Sequence, residues 1–208
     1  RRWLFNSSVP SCAFGIYEQH IAAVLQSRLR KRGVFFDIGA NVGYYTLFAS
    51  TLIGNSGKVV AFEPEPENMR MLEEHIKLNG CTNVIPVQKA LSDAPDIPLF
   101  DGTKRSMCKL SDSGNIKVEC TTLDTFILEN GVSPEILKMD IEGAEIRALR
   151  GADNCLSEIR PEIILSVHDG LLGTCLDILS GYDYSVERLS PDDLYCVPRE
   201  REIRVSSN

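Results

Sequence analysis

Two stretches of the chain carry residues whose types and spacing suit chemistry. The first is Asp37-Ile38-Gly39-Ala40-Asn41-Val42-Gly43, where an apolar run ends and a helical pattern begins. Glycine lets backbone approach a ligand closely, and the amides opening the next helix point into the same crevice. The spacing is G-x-x-x-G with Asp in front, not the G-x-G-x-x-G that seats a pyrophosphate on a helix terminus. A carboxylate at that mouth suits an ammonium group and repels phosphate. Glu63 follows 20 residues beyond Gly43, where it can accept both hydroxyls of a ribose. The pair points to a cationic nucleoside without phosphate, S-adenosylmethionine, and the spacing excludes a nicotinamide dehydrogenase. A lone glycine loop is as often an ordinary tight turn; Asp37 and Glu63 raise this one above that.

The second stretch is Lys138-Met139-Asp140-Ile141-Glu142-Gly143-Ala144-Glu145, with His168 further on. Asp140 and His168 fall at the C-terminal ends of neighbouring predicted strands, the edge where open α/β sheets bind ligands. Imidazole titrates near neutral pH, so His168 is the first choice for a base that deprotonates an acceptor. A histidine hydrogen-bonded to loop backbone is the other reading. Asp140 reads equally as acid–base group or cofactor anchor. Glu142 lies nearer the cleft, a candidate acceptor contact. Glu145 is accounted for by the helix dipole. Asp140, Glu142 and His168 could share a divalent ion, but no ligand-type spacing supports one, and none is expected. His20 and His75 lie in helical patterns and read as surface or packing residues. The basic "RLRKR" (28–32) reads as a solvated helix end, relevant to binding only for an anionic acceptor.

Elements must hold these groups, and the sequence supplies them. Residues 15–31 show helical spacing; "VFFDIG" (34–39) is a buried strand followed by a helix over 44–53. "KVVAFE" (58–63) is a second strand and 67–80 a helix ending at Gly80. "NVIPVQKA" (83–90) is a third strand, with Pro86 better suited to an edge. "DIPLF", "SMCKL" and "IKVEC" read as short strands of an antiparallel insertion over 92–121. A strand at 135–143 runs into the helix "AEIRALRGADNCL". Another strand (161–168), a helix (171–180) and a closing hairpin around Ser-Pro-Asp-Asp complete the order. The alternation predicts an α/β fold, one domain over 1–208 with residues 1–32 as a helical extension.

Composition sets the outer bounds. The 208 residues are 43% hydrophobic and 25% charged, ordinary for a globular chain. A formal charge of -7 argues against tight non-specific nucleic-acid binding. No apolar run approaches the roughly 18 residues that span a bilayer. Seven cysteines, with no C-x-x-C pair, read mostly as small buried hydrophobes and favour a reducing compartment, here the cytoplasm. The chain opens Arg-Arg-Trp, without a signal-peptide apolar segment, as one trimmed from something longer would.

The blocks "FDIGANVGYYTLFAS", "VVAFEPEPENMRMLEEHIKLN", "CTTLDTFI", "ILKMDIEGAEIRALRGA" and "IILSVH" closely resemble the FkbM family of S-adenosylmethionine-dependent methyltransferases. They occur in family order over roughly residues 33–198; the insertion at 92–121 and the residues before 33 have no counterpart. The resemblance implies a Rossmann-like, class I methyltransferase sheet of seven strands in the order 3-2-1-4-5-7-6, the last antiparallel, with helices on both faces. It implies methylation of a hydroxyl on a sugar or natural product, a small-molecule or glycan acceptor. Carried over by position, Asp37, Gly39, Ala40, Asn41 and Gly43 line the methionine end of the cofactor. Glu63 holds the ribose, Ala90 and Leu91 sit beside the adenine, and Asp140 faces the amino acid moiety or the acceptor. A nucleic-acid methyltransferase and a non-catalytic domain keeping this fold are the rivals. The lack of an Asn-Pro-Pro-Tyr-type pocket weighs against the first, the intact Asp37, Gly39, Gly43 and Glu63 set against the second.

Overall fold

The computed structural model describes residues 2–3, 17–95, 99–101, 109–110, 116–168 and 170–205. Its centre is a seven-stranded sheet. In chain order the strands are β1 (Val34–Ile38), β2 (Lys58–Phe62), β3 (Val84–Val87), β9 (Ile136–Met139), β10 (Glu162–Ser166), β11 (Tyr184–Arg188) and β12 (Asp193–Pro198). They lie side by side as β3-β2-β1-β9-β10-β12-β11, and β12 runs antiparallel to both neighbours. Counted within this sheet, that is 3-2-1-4-5-7-6 with the last strand reversed.

The strands read as continuous apolar runs because both faces are covered. Alternate side chains enter two cores. Phe36, Ile38, Val60, Phe62, Leu137 and Met139 pack on one face, beneath α4 (Leu123–Asn130), α5 (Glu145–Arg150) and α6 (Leu172–Gly181). Phe35, Val59, Ile136 and Ile164 pack on the other, beneath α1 (Gln19–Arg28) and α2 (Tyr44–Ile53). Helix α3 (Pro66–Leu78) closes the cofactor end, setting Met69 and Leu72 against Ala40 and Ala61. Its Glu65 cap accepts from the Asn68 amide, with Pro66 in the first turn where no amide is needed.

Several expected elements are shorter than their patterns. The third strand stops at Val87, where Lys89 N–H turns back to the Val87 carbonyl at 2.9 Å. Pro86 is tolerated there because β3 is the sheet edge. Ala90–Leu91 forms β4 and pairs in parallel with β8 (Cys120–Thr121). Leu99–Asp101 (β5) pairs antiparallel with Lys109–Leu110 (β6) and Ile116–Lys117 (β7). "IKVEC" is therefore two strands in two sheets. The helix expected through Leu156 ends at Arg150: Gly151 lies so close to Ser92 that a Cβ would fall 2.0 Å from its carbonyl oxygen. A π-helical turn (Cys155–Ile159) follows, its first amides held by the Asp124 carboxylate. A last helix, α7 (Arg199–Val205), carries no apolar stripe that predicted it. No helix among the described residues is long and apolar enough to cross a membrane.

The basic cluster is not simply solvated. Arg28 makes a two-pronged contact with Glu162 at 2.9 Å for each bond, tying α1 to the start of β10.

Candidate active site

The glycine loop crosses the C-terminal end of β2. Gly39 and Ala40 donate to the Phe62 carbonyl at 3.0 and 2.9 Å. Asn41 N–H donates to Glu63 Oε2 at 2.7 Å, Val42 N–H to the Asn41 side chain at 2.8 Å, and Gly43 N–H to the Ala40 carbonyl at 2.8 Å. Gly39 sits at φ 81°, and a Cβ there would fall 1.9 Å from the Asp140 carbonyl oxygen. Only glycine permits that approach. His75, fully buried in α3 and stacked under Trp3, places Nδ1 2.7 Å from the Val42 carbonyl; burial lowers its pKa. The packing role expected of His75 thus includes propping the loop.

Two expected cofactor residues are deeply buried. Asp37 is 1% exposed. Its Oδ2 accepts from the Thr46 hydroxyl at 2.5 Å, and Lys138 lies opposite on β9. Burial pushes the Asp37 pKa up, only partly offset by Lys138 and Thr46. Glu63 is 5% exposed and already serves three protein donors: Asn41 N–H at 2.7 Å, Glu65 N–H at 3.0 Å and the Asn68 amide at 3.4 Å. Burial pushes its pKa up to about 7 despite those bonds. A carboxylate has about four acceptor sites, of which these donors use three. Ala90 and Leu91 are buried in β4, and Leu91 packs into the core beneath α4.

At the neighbouring strand ends the expected groups do meet. Asp140 follows β9 and His168 follows β10; the two strands are parallel neighbours, so their ends lie side by side. His168 Nε2 stands 3.9 Å from Asp140 Oδ1, and Asp140 Oδ2 takes the Lys138 ammonium at 3.1 Å. Lys138 is almost fully buried and also lies 4.9 Å from the Tyr45 ring centroid. Burial pulls its pKa down, but the charges of Asp140 and Asp37 prevail and raise it. Glu142 turns the chain at φ 52°. Ligand atoms of Asp140, Glu142 and His168 all lie within 4.8 Å of one another.

Sequence reasoning missed four contributors: Thr46, His75, Lys138 and Glu145. A lysine inside the otherwise apolar "ILKM" is the one visible signal, since a buried ammonium demands a partner. Glu145 is fully buried, which a dipole role does not require; its Oε1 accepts from Gly143 N–H at 3.0 Å and lies 3.7 Å from His168 Nδ1.

The site fits S-adenosylmethionine in charge. The glycine loop runs between Glu63 and Asp140, carboxylates suited to a cationic ligand.

Known proteins agree with that reading. The hexuronic acid methyltransferase AglP of Haloferax volcanii is 27% identical over 158 residues, covering 74% of this chain but 64% of its own length. The 31-O-demethyl-FK506 methyltransferase FkbM of Streptomyces tacrolimicus is 27% identical over 197 residues, covering 76% and 75%. The crystal structure of methyltransferase FkbM from Methylobacillus flagellatus superposes with a TM-score of 0.60 at 20% identity, over 81% of this chain and 44% of that one. The methyltransferase FkbM domain model matches residues 37–186, and the chain belongs to the FkbM family of S-adenosylmethionine-dependent methyltransferases.

Proposed function

We propose that the protein transfers the methyl group of S-adenosylmethionine to a hydroxyl oxygen of a sugar or natural-product acceptor. The observation that carries this is the contact between the two halves of the site: Gly39 rests on the Asp140 backbone, so the cofactor loop adjoins the Asp140–His168 edge. The two relatives support the acceptor class through their names, one acting on a hexuronic acid, the other on a demethylated natural product.

When bound, the cofactor supplies a methyl carbon on a sulfonium: the acceptor oxygen takes the carbon, the carbon–sulfur pair stays on sulfur, and the hydroxyl proton must leave. The chain's own residues do the rest. Gly39, Ala40, Asn41 and Gly43 shape the loop against which the methionine end lies. Glu63 holds the loop and one ribose hydroxyl, while Asp37 stiffens the start of α2 from behind. Asp140 and Glu142 orient the acceptor, and His168 Nε2 takes the proton. A positioned base contributes about 10²–10⁴-fold, and alignment the remainder. The acceptor is a small molecule or glycan and not a nucleic acid, in keeping with the net charge of -7. The five described cysteines are all free, which supports a reducing compartment, the cytoplasm.

Incubation with methyl-labelled S-adenosylmethionine and a panel of uronic-acid glycans, macrolides and RNA tests the reading. Label on an oxygen of a glycan or macrolide is the expected product. Label on RNA, or on nitrogen or carbon, overturns it.

A further inference from the structure

Glu145 opens α5 yet is fully buried at the inner wall of the acceptor edge. Its Oε2 has no hydrogen-bond partner among the described residues, and neither has His168 Nδ1, also buried, which faces Glu145 Oε1 across 3.7 Å. Unmet buried polar atoms are costly, and a closure of under about 1 Å brings His168 Nδ1 to hydrogen-bond distance of Glu145 Oε1, which has a second lone pair beside the Gly143 bond. Catalytic hydrogen bonds are commonly long without substrate and tighten in the complex. The opposite ring nitrogen, Nε2, faces Asp140 Oδ1 at 3.9 Å, and Asp140 is restrained from behind by Lys138. The imidazole therefore lies between two carboxylates of different character, one sealed in the core and one half-buried.

We propose that Glu145 is a positioning residue that keeps the His168 proton on Nδ1, so that Nε2 presents its lone pair to the acceptor hydroxyl. The inference rests on the hydroxyl-methylation reading above. The hydroxyl proton passes to Nε2 as the oxygen–carbon bond forms and the carbon–sulfur bond breaks. The resulting imidazolium lies between Glu145 and Asp140 and returns its proton to water after product leaves. Among the described residues, Asp140, Glu142 and Glu145 are the charged groups placed around the ring, with Lys138 behind Asp140. Cys175 lies near Glu145 with its thiol pushed up to about 11 by burial, so it brings no charge at neutral pH. A shared divalent ion would compete for Nε2.

Nitrogen-15 NMR of labelled histidine reads the tautomer without any acceptor. The chain has three histidines, and His20→Gln and His75→Gln identify the signals. The expected result is a proton on His168 Nδ1 in the native protein and a shift toward the Nε2–H form in Glu145→Gln, whose neutral amide oxygen is a weaker acceptor for Nδ1–H. In turnover, Glu145→Gln should lose about 10²-fold in kcat and keep S-adenosylmethionine affinity within about twofold, with Glu145→Asp recovering part of the loss. A native Nε2–H tautomer, full kcat in Glu145→Gln, or lost cofactor affinity in that variant each overturns the proposal. Broadening of His168 signals by Mn²⁺ that Asp140→Asn abolishes also overturns it, because Nε2 would then be a ligand. Methylation found at nitrogen or carbon sinks the hydroxyl reading instead, while the native tautomer still decides the placement of Glu145.

Discussion

In the glycine loop all five backbone N–H groups from Gly39 to Gly43 have acceptors inside the protein, whereas beyond β9 and β10 the buried His168 Nδ1, without a hydrogen-bond partner among the described residues, stands 3.7 Å from Glu145 Oε1. The first region is finished without a ligand. The second holds carboxylates and an imidazole at distances too long for hydrogen bonds, with Lys138 as a buried cation beside them. Asp37, with Oδ1 also unpartnered, belongs with the second region through Lys138. The contrast says where stability was kept and where it was given up. The loop has to keep its shape for a cofactor of fixed geometry, while the acceptor edge must keep unmet hydrogen-bonding capacity for a proton in transit.

The hardest way to break the finished region is to crowd it. Gly39→Ala places a Cβ 1.9 Å from the Asp140 carbonyl oxygen, at φ 81°, so backbone must move on both strands. We expect a loss of about 4 kcal/mol or more in denaturant unfolding, together with loss of cofactor binding. A variant that unfolds like the native protein would show that β1 and β9 are not locked together here.

Glu63 exposes the same region to pH. Its folded pKa of about 7 lies above the ordinary 4.5, so the cofactor-free fold prefers the neutral acid. The associated stability is fully present below pH 4.5 and is lost as pH rises through about 7. The shift corresponds to about 3 kcal/mol. Urea titrations at pH 5 and pH 8 should show native stability falling by an amount of that order, and Glu63→Gln should flatten the slope. An unchanged slope in that variant would assign the dependence to other groups.

Much of this arrangement was legible in the chain. Apolar strands and glycine punctuation gave the sheet, because a strand buried on both faces has little freedom to be anything else. Pro86 marked its edge. Asp140 and His168 could be paired because parallel neighbours end together. Charge burial could not be read in the same way. Nothing local distinguishes Glu145, buried at the start of α5, from an exposed first-turn glutamate, since its partner lies on another strand. Likewise the Glu63 carboxylate turns inward because the loop amide of Asn41 is offered to it across the gap. The helix expected after Ala144 ended early for a contact with Ser92 far back in sequence.

The unfinished region is tested by removing its imidazole. His168→Ala should leave S-adenosylmethionine affinity nearly intact and lower turnover by about 10²-fold, about 2.7 kcal/mol. The native pH–rate profile should fall on its acidic side, since a base must be neutral to accept a proton, and the variant should lack that limb. Full turnover in the variant would move the base to Asp140 or leave alignment alone to drive the transfer.

The smallest effect has the most telling sign. Thr46→Val removes the hydroxyl that satisfies buried Asp37 Oδ2, so it should destabilise by about 1–3 kcal/mol, as any broken buried hydrogen bond to a charge does. Glu145→Gln changes a group equally buried but incompletely paired. Its oxygen can still accept from Gly143 N–H, and its amide nitrogen takes the place of Oε2, which has no partner among the described residues. It also exchanges a fully buried carboxylate for a neutral group. We therefore expect Glu145→Gln to unfold later than the native protein, by about 1 kcal/mol, while turning over more slowly. Thermal unfolding of both variants in one buffer at pH 7 compares the signs directly. Destabilisation by Glu145→Gln would mean that its carboxylate is a finished structural contact, as in the loop, and would erase the distinction between the two ends of the site.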